Sequence, residues 1–187
     1  MSFWTILLIA VSLSMDAFAV SVAHGCRIKR PTTYDVLRPG IWFGGFQMLM
    51  PVLGWLGGVA LRSYIDGVDH WIAFGLLAFV GGKMIIEAFR KDDEAACEIE
   101  RRSNKEMLML AVATSIDALA VGLSLAFLKV GIWVPVLIIG VVTFTVSSGG
   151  VLLGNGVGRL LKDKAEIAGG LVLLGIGIRI LVQGLRS

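Results

Sequence analysis

Charge is what this sequence has least of. Asp, Glu, Lys and Arg make up 17% of its 187 residues, against about 25% in an ordinary soluble domain. So few charges cannot cover the surface that a soluble domain of this length exposes. An apolar content of 56% excludes disorder as well. Cysteine and histidine are also scarce, at two each. Cys26 and Cys97 stand far apart and form no C-x-x-C pair, which argues against thiol-redox chemistry. Without paired Cys, clustered His or a nucleophile motif, the chain does not read as an enzyme. The net charge of +3 carries no nucleic-acid meaning, because membrane topology explains how it is distributed.

What is abundant is apolar length and glycine, with 24 glycines and a mean hydropathy of +0.83. Apolar runs fall at about Ser2–His24, Gly40–Leu61, Asp69–Phe89, Met107–Leu128, Gly131–Asn155 and Ala165–Leu185. Each is long enough to span a bilayer as a helix. The first run has no preceding basic residue and contains an aspartate, so it does not read as a signal peptide. Twelve basic residues sit on one side of the expected membrane: Arg27, Lys29, Arg30 and Arg38; Arg90, Lys91, Arg101, Arg102 and Lys105; and Arg159, Lys162 and Lys164. Three, namely Arg62, Lys129 and Arg186, sit on the other. The positive-inside rule puts the twelve in the cytoplasm and both termini outside. Trp4, Trp71 and Trp133 fall near helix ends, as interface anchors should. His24 at a helix end reads as solvated at the interface.

The halves resemble each other. Ser14-Met-Asp-Ala-Phe-Ala-Val-Ser21 matches Ser115-Ile-Asp-Ala-Leu-Ala-Val-Gly122 at five of eight positions. Lys83-Met-Ile-Ile-Glu-Ala-Phe-Arg90 parallels Arg179-Ile-Leu-Val-Gln-Gly-Leu-Arg186. The expected fold is therefore an all-α integral membrane protein of six helices. Residues 1–90 form the first three-helix repeat, 91–106 a charged cytoplasmic linker, and 107–187 the second repeat. Three is odd, so the second repeat enters the membrane from the opposite side. That inverted arrangement is typical of secondary transporters, whose sites lie near the midplane between repeats.

Two carboxylates carry the chemistry. Asp16 lies 13 residues past Phe3 and Asp117 10 past Met107, about 20 and 15 Å along a helix. A carboxylate at such depth costs roughly 2.5–3.5 kcal/mol even on the gentlest scale. Small residues share a helical face with each, which would let the two backbones approach. Two facing carboxylates repel unless one is protonated or a cation lies between them. Oxygen-rich sites suit manganese, magnesium or calcium better than copper or zinc. Gln47 is a candidate third ligand, because Pro51 four residues on clashes with its carbonyl. Ser14, Thr114 and Ser115 offer hydroxyls beside the aspartates. In the fifth run Thr143, Thr145, Ser147, Ser148 and Asn155 form a polar stretch that could line a pore or simply bond its own helix. Lys83 and Glu87, one turn apart, read as a pair that neutralises itself.

The two Asp motifs, Gly44-Gly-Phe-Gln-Met-Leu-Met-Pro51 with Gly54-Trp55, His70-Trp-Ile-Ala-Phe74, and Gly81-Gly-Lys-Met-Ile-Ile-Glu87 together resemble the bacterial manganese efflux pump family (MntP-like), within the broader group of lysine-exporter-like transporters. The resemblance covers nearly the whole chain. It implies a multi-pass protein of the bacterial inner membrane that exports manganese(II) by alternating access. Asp16, Asp117 and Gln47, with Ser14, Thr114 and Ser115, would hold the ion. Manganese is then cargo, and no cofactor is implied. No nucleotide-binding motif is present, so an ion gradient or the membrane potential is the expected energy source. The expected partners are the ion and the lipid bilayer, with no nucleic acid; a homo-oligomer is compatible with this layout. The competing reading is an exporter of another divalent cation, or of a small amino acid or organic cation.

Overall fold

A computed structural model describes residues 2–26, 28, 30–61, 69–89, 103–154 and 158–185, apart from the side chains of 69–70, 84, 87–89, 158–166, 168–169 and 183. Among these residues all regular structure is α-helix, with no strand. The helices are α1 (Phe3–Cys26), α2 (Thr33–Leu61), α3 (Asp69–Phe89), α4 (Asn104–Thr114), α5 (Ile116–Phe127), α6 (Trp133–Leu153) and α7 (Gly158–Gly184). Four stretches are long and apolar enough to cross a membrane: α1, α2, α4 with α5 taken together, and α6. α3 and α7 contain shorter apolar stretches, Trp71–Lys83 and Gly170–Val182.

Two helix starts are set by short polar devices. At α2, the Asp35 carboxylate accepts from the Thr32 N–H at 3.0 Å and from its hydroxyl at 2.7 Å. The Thr32 hydroxyl oxygen in turn accepts from the Asp35 N–H at 3.4 Å. α2 therefore begins seven residues earlier than its apolar run, because capping rather than hydropathy fixes the end. At α4, Ser103 and Glu106 form a reciprocal capping box. The last residues of the expected 91–106 linker thus belong to a helix start, and the rest of that linker lies outside the described residues. Arg38 donates to the Asn104 side chain at 2.6 Å, so α2 and α4 start at the same end of the bundle. At the opposite end α5 closes through Lys129, which takes a left-handed φ of 58°. The Val130 N–H returns to the Leu125 carbonyl at 3.0 Å, and the Trp55 indole donates to the Val130 carbonyl at 3.1 Å.

The run expected as one helix over Met107–Leu128 is broken. At Ser115 the backbone turns to φ −107°, ψ 1°, and its N–H bonds back three residues to Val112. The equivalent Ser14 lies inside an uninterrupted α1.

Packing follows the repeat closely. α1 packs most on α6 and α2 on both α5 and α6, while α3 packs on α7; α1 also meets α7, as α3 meets α5. Exchanging α1, α2 and α3 for α4–α5, α6 and α7 leaves these pairings unchanged. Single contacts repeat too. Gly54 lies against the backbone of Leu119, and Gly150 against that of Phe18. Gly58 meets Leu123 and Ala126, and Gly154 meets Val22 and Gly25. Gly44 packs on Phe144, and Gly140 on Met48. The small residues beside the aspartates therefore mostly receive α2 and α6; α1 touches α4 only briefly.

The surface is apolar and the interior partly polar. Leu49, Leu53, Leu56, Leu137 and Val141 are exposed, while Ser12, Ser14, Gln47, Ser115, Asp117, Thr143 and Ser147 are buried. That inversion is what a bilayer solvent selects. Trp4, Trp71 and Trp133 are exposed at the N-terminal ends of α1, α3 and α6. His24 is buried, at 1% exposure, which corrects the expectation that it is solvated at an interface. It lies where Gly25 closes on Val151 of α6.

Glycines at these crossings admit no side chain. A methyl group at Gly122 would fall on the backbone of Pro51, and one at Gly54 on that of Leu119. Gly122→Ala or Gly54→Ala should lower stability by about 1–3 kcal/mol through overpacking. A methyl group at Gly45 or Gly57 would meet nothing within 4 Å, so alanine there should be neutral or stabilising. Thermal unfolding in detergent compares the four variants; equal midpoints would contradict this packing.

Candidate functional site

The polar layer lies between two apolar clusters. One gathers Ile9, Leu13, Leu77, Val121, Ile139 and neighbours. The other gathers Ala17, Phe43, Met107 and Ala111. Between them Gln47 is fully buried. Its amide nitrogen donates to the Leu13 carbonyl at 3.2 Å and to the Thr114 carbonyl at 3.0 Å. Leu13 and Thr114 occupy equivalent places in the two Asp motifs, each three residues before its aspartate. One side chain from α2 thus ties together matching points of both halves. The Gln47 amide oxygen is buried with no hydrogen-bond partner. A buried polar atom left so is costly, unless it is kept for a ligand.

The hydroxyls differ in their engagement. Ser14 donates to the Val11 carbonyl at 2.7 Å, and Thr114 to the Ala111 carbonyl at 3.3 Å. Each oxygen keeps lone pairs after its proton has turned back to the helix. The Ser115 hydroxyl, at the break, is buried and has no hydrogen-bond partner. Thr143, which stands in α6 where Gln47 stands in α2, is likewise buried and unpartnered, as is Ser147. The rest of the expected polar stretch divides. Thr145 is exposed and donates to the Val141 carbonyl at 2.8 Å, Ser148 is half-buried, and Asn155 lies outside the described residues.

Asp117 sits in the first turn of α5, where the helix dipole favours negative charge. It is 4% exposed. The Lys83 ammonium reaches it from α3 and donates to both carboxylate oxygens at 3.0 Å. Lys83 thus pairs with Asp117, a partner the sequence reading did not name; the Glu87 side chain, expected to pair with Lys83, lies outside the described residues. A carboxylate as buried as Asp117 needs such a counter-ion. Asp16 is half-buried in α1, one turn beyond Leu13. Among the described residues no three His, Cys, Asp or Glu side chains gather as a metal cluster. A cation held here would draw on amide, hydroxyl and carbonyl oxygens beside the carboxylates.

Two features were missed from the sequence. The serine break in the fourth run has no Gly or Pro to mark it. The Lys83–Asp117 pair had a usable signal, since an intramembrane lysine needs a partner and buried Asp117 needed one as well.

A family model described as "Putative manganese efflux pump" matches residues 30–181. The chain is 48% identical over 188 residues to "Putative manganese efflux pump MntP 2" of Clostridium botulinum, covering 96% of this chain and 94% of that protein. It is 49% identical over 183 residues to the protein of the name "Putative manganese efflux pump MntP" in Methanosarcina mazei, covering 98% and 97%. A similarly named protein of Bifidobacterium adolescentis is 48% identical over 180 residues, with 96% of each chain covered. No solved structure matches the chain.

The Gln47 bridge makes a stability prediction. Gln47→Leu removes two donors from buried carbonyls and should lower stability by about 1–2 kcal/mol. Thr145→Val, at an exposed self-bonded hydroxyl, should change it by less than about 0.5 kcal/mol. Thermal unfolding at matched detergent and lipid compares them. Equal midpoints would mean that the amide does not join the halves.

Proposed function

The chain belongs to the MntP family of manganese efflux pumps, and from that membership we propose that it is a secondary transporter exporting manganese(II) from the cytoplasm. The family is one of transporters, not enzymes. In this reading six spans form two inverted three-helix repeats, residues 1–90 and 107–187. α4 and α5 together make the fourth span. Both termini lie outside the cytoplasmic membrane, and the basic loops face the cytoplasm.

The observation that carries the site is the pair of buried, unpartnered oxygens on Gln47 and Ser115 beside the two aspartate motifs. They are hard, uncharged donors, of the kind that manganese shares with other hard divalent ions. Asp16 and Asp117 supply the charge that offsets the lost water shell. Ser14 and Thr114 offer lone pairs at equivalent places in the two halves. Manganese is bound as substrate, released on the other side, and leaves no resident cofactor. The exchange symmetry of the packing supports alternating access, because each half can take the role of the other. A half-helix C-terminus at the binding level, as α4 provides at Thr114, is a recurrent device for holding cations in such transporters.

The amino-acid alternative needs an available cation to recognise a substrate carboxylate; Lys83 is held by Asp117, so that reading would have to rest on Arg179.

Asp16→Asn and Asp117→Asn should each abolish manganese resistance and raise cell manganese under challenge, at matched membrane abundance. Cell manganese measured by elemental analysis decides it; wild-type levels in both variants would overturn the site. Reporter fusions at both termini should read extracytoplasmic, and a fusion within 91–102 cytoplasmic. The reverse pattern would overturn the topology.

A further inference from the structure

Lys83 and Asp117 belong to opposite halves of the chain. Under the repeat, Lys83 corresponds to Arg179 and Asp117 to Asp16. α7 packs on α1 as α3 packs on α5. The two cations nevertheless differ in state. Lys83 holds both oxygens of Asp117 at 3.0 Å. Arg179 is exposed and makes no ion pair among the described residues. Within those residues, one of two equivalent cations is seated on a carboxylate and the other is not.

A carboxylate as buried as Asp117 cannot lose its counter-ion without a large penalty. Any cation that binds there must take the place of the ammonium. Lys83 has somewhere to go. Its side chain is 32% exposed on a flexible four-carbon stem. It stands six residues before the end of α3 at Phe89, about 9 Å. Asp117 stands 13 residues beyond the start of α4 at Asn104, about 20 Å. Those two helix ends are consecutive in the chain and lie on the proposed cytoplasmic side. The ammonium therefore reaches Asp117 from that side and can withdraw toward it, as long basic side chains do near membrane interfaces.

We propose that Lys83 is a tethered counter-cation: it occupies the Asp117 carboxylate when no ion is bound, and the transported divalent cation binds by displacing it. This rests on the reading of Asp117 as an ion ligand. A divalent ion replaces the ammonium at Asp117, and the withdrawn ammonium keeps its proton. When the ion leaves, the return of Lys83 spares the protein a bare buried carboxylate and opposes rebinding. Lys83 is thus a positioning residue for release rather than a ligand.

The test is manganese binding to the purified full-length protein in lipid nanodiscs, followed by the electron paramagnetic resonance signal of free manganese(II). Lys83→Gln removes the competitor and should tighten binding about tenfold, within the usual range of coupling between two ligands of one protein. Export by the same variant in cells should fall at least as much, because release loses its driver. Lys83→Arg keeps a competing cation and should bind no tighter than wild type. A merely structural role for Lys83 cannot raise affinity. Unchanged or weaker binding by Lys83→Gln, with binding lost in Asp117→Asn, overturns the proposal and leaves the ion site standing. Wild-type binding in Asp117→Asn overturns the site itself. If Lys83→Gln does not fold, amine acetylation of the wild-type protein decides the matter. Saturating manganese should increase labelling at Lys83, and constant or reduced labelling overturns displacement.

Discussion

The burial of one carboxylate is the constraint from which the site follows. Asp117 is almost fully enclosed, and in a medium where charge is poorly screened its negative charge dictates its surroundings. The nearby helix is interrupted one residue after Thr114, so that α5 begins with its dipole toward the carboxylate. A lysine is drawn across from α3 and held by both oxygens. Buried oxygens on Ser115 and Gln47 have no hydrogen-bond partner. None of these features suits a core evolved only for stability, where unpaired polar atoms are a loss.

The rest of the fold serves to bring two copies of this arrangement into one small interior. Glycines at the α1–α6 and α2–α5 crossings bring backbone onto backbone, which substitutes for the hydrophobic drive that lipid does not supply. Because the crossings are repeated between the halves, the contacts of one half are matched by the other. Gln47 stands where that exchange leaves least asymmetry, bonded to equivalent carbonyls on both sides. Its counterpart Thr143 is too short to repeat the bridge. The two halves are thus alike in frame and unlike in this bridge between them.

Much of this was legible in the sequence. Apolar length pointed to an all-helical chain and to rough helix limits, and the Asp16 and Asp117 motifs pointed to matching segments in the two halves, because both signals are local. The start of α2 was read late, since Thr32 and Asp35 cap a helix through polar atoms that hydropathy ignores. The break at Ser115 was not legible at all. Ser14 has the same local sequence and stays helical, so only the surrounding packing distinguishes them. Of the six site residues, burial of Asp117, Gln47 and Ser115 follows from their position in apolar runs. Their hydrogen bonds do not, because partners such as Leu13 and Thr114 come from other helices. The Lys83–Asp117 pair escapes the sequence for a related reason: Asp117 is near Lys83 only in space.

The contrast between Ser14 and Ser115 has a bearing on how a helix is interrupted. One short motif, Ser-x-Asp-Ala-x-Ala-Val, occurs in this molecule both as continuous helix and as a helix interrupted at its serine. The packing around each serine therefore decides the shape, not the motif itself. A helix in this bundle is ended and restarted without glycine or proline, at the cost of a single residue.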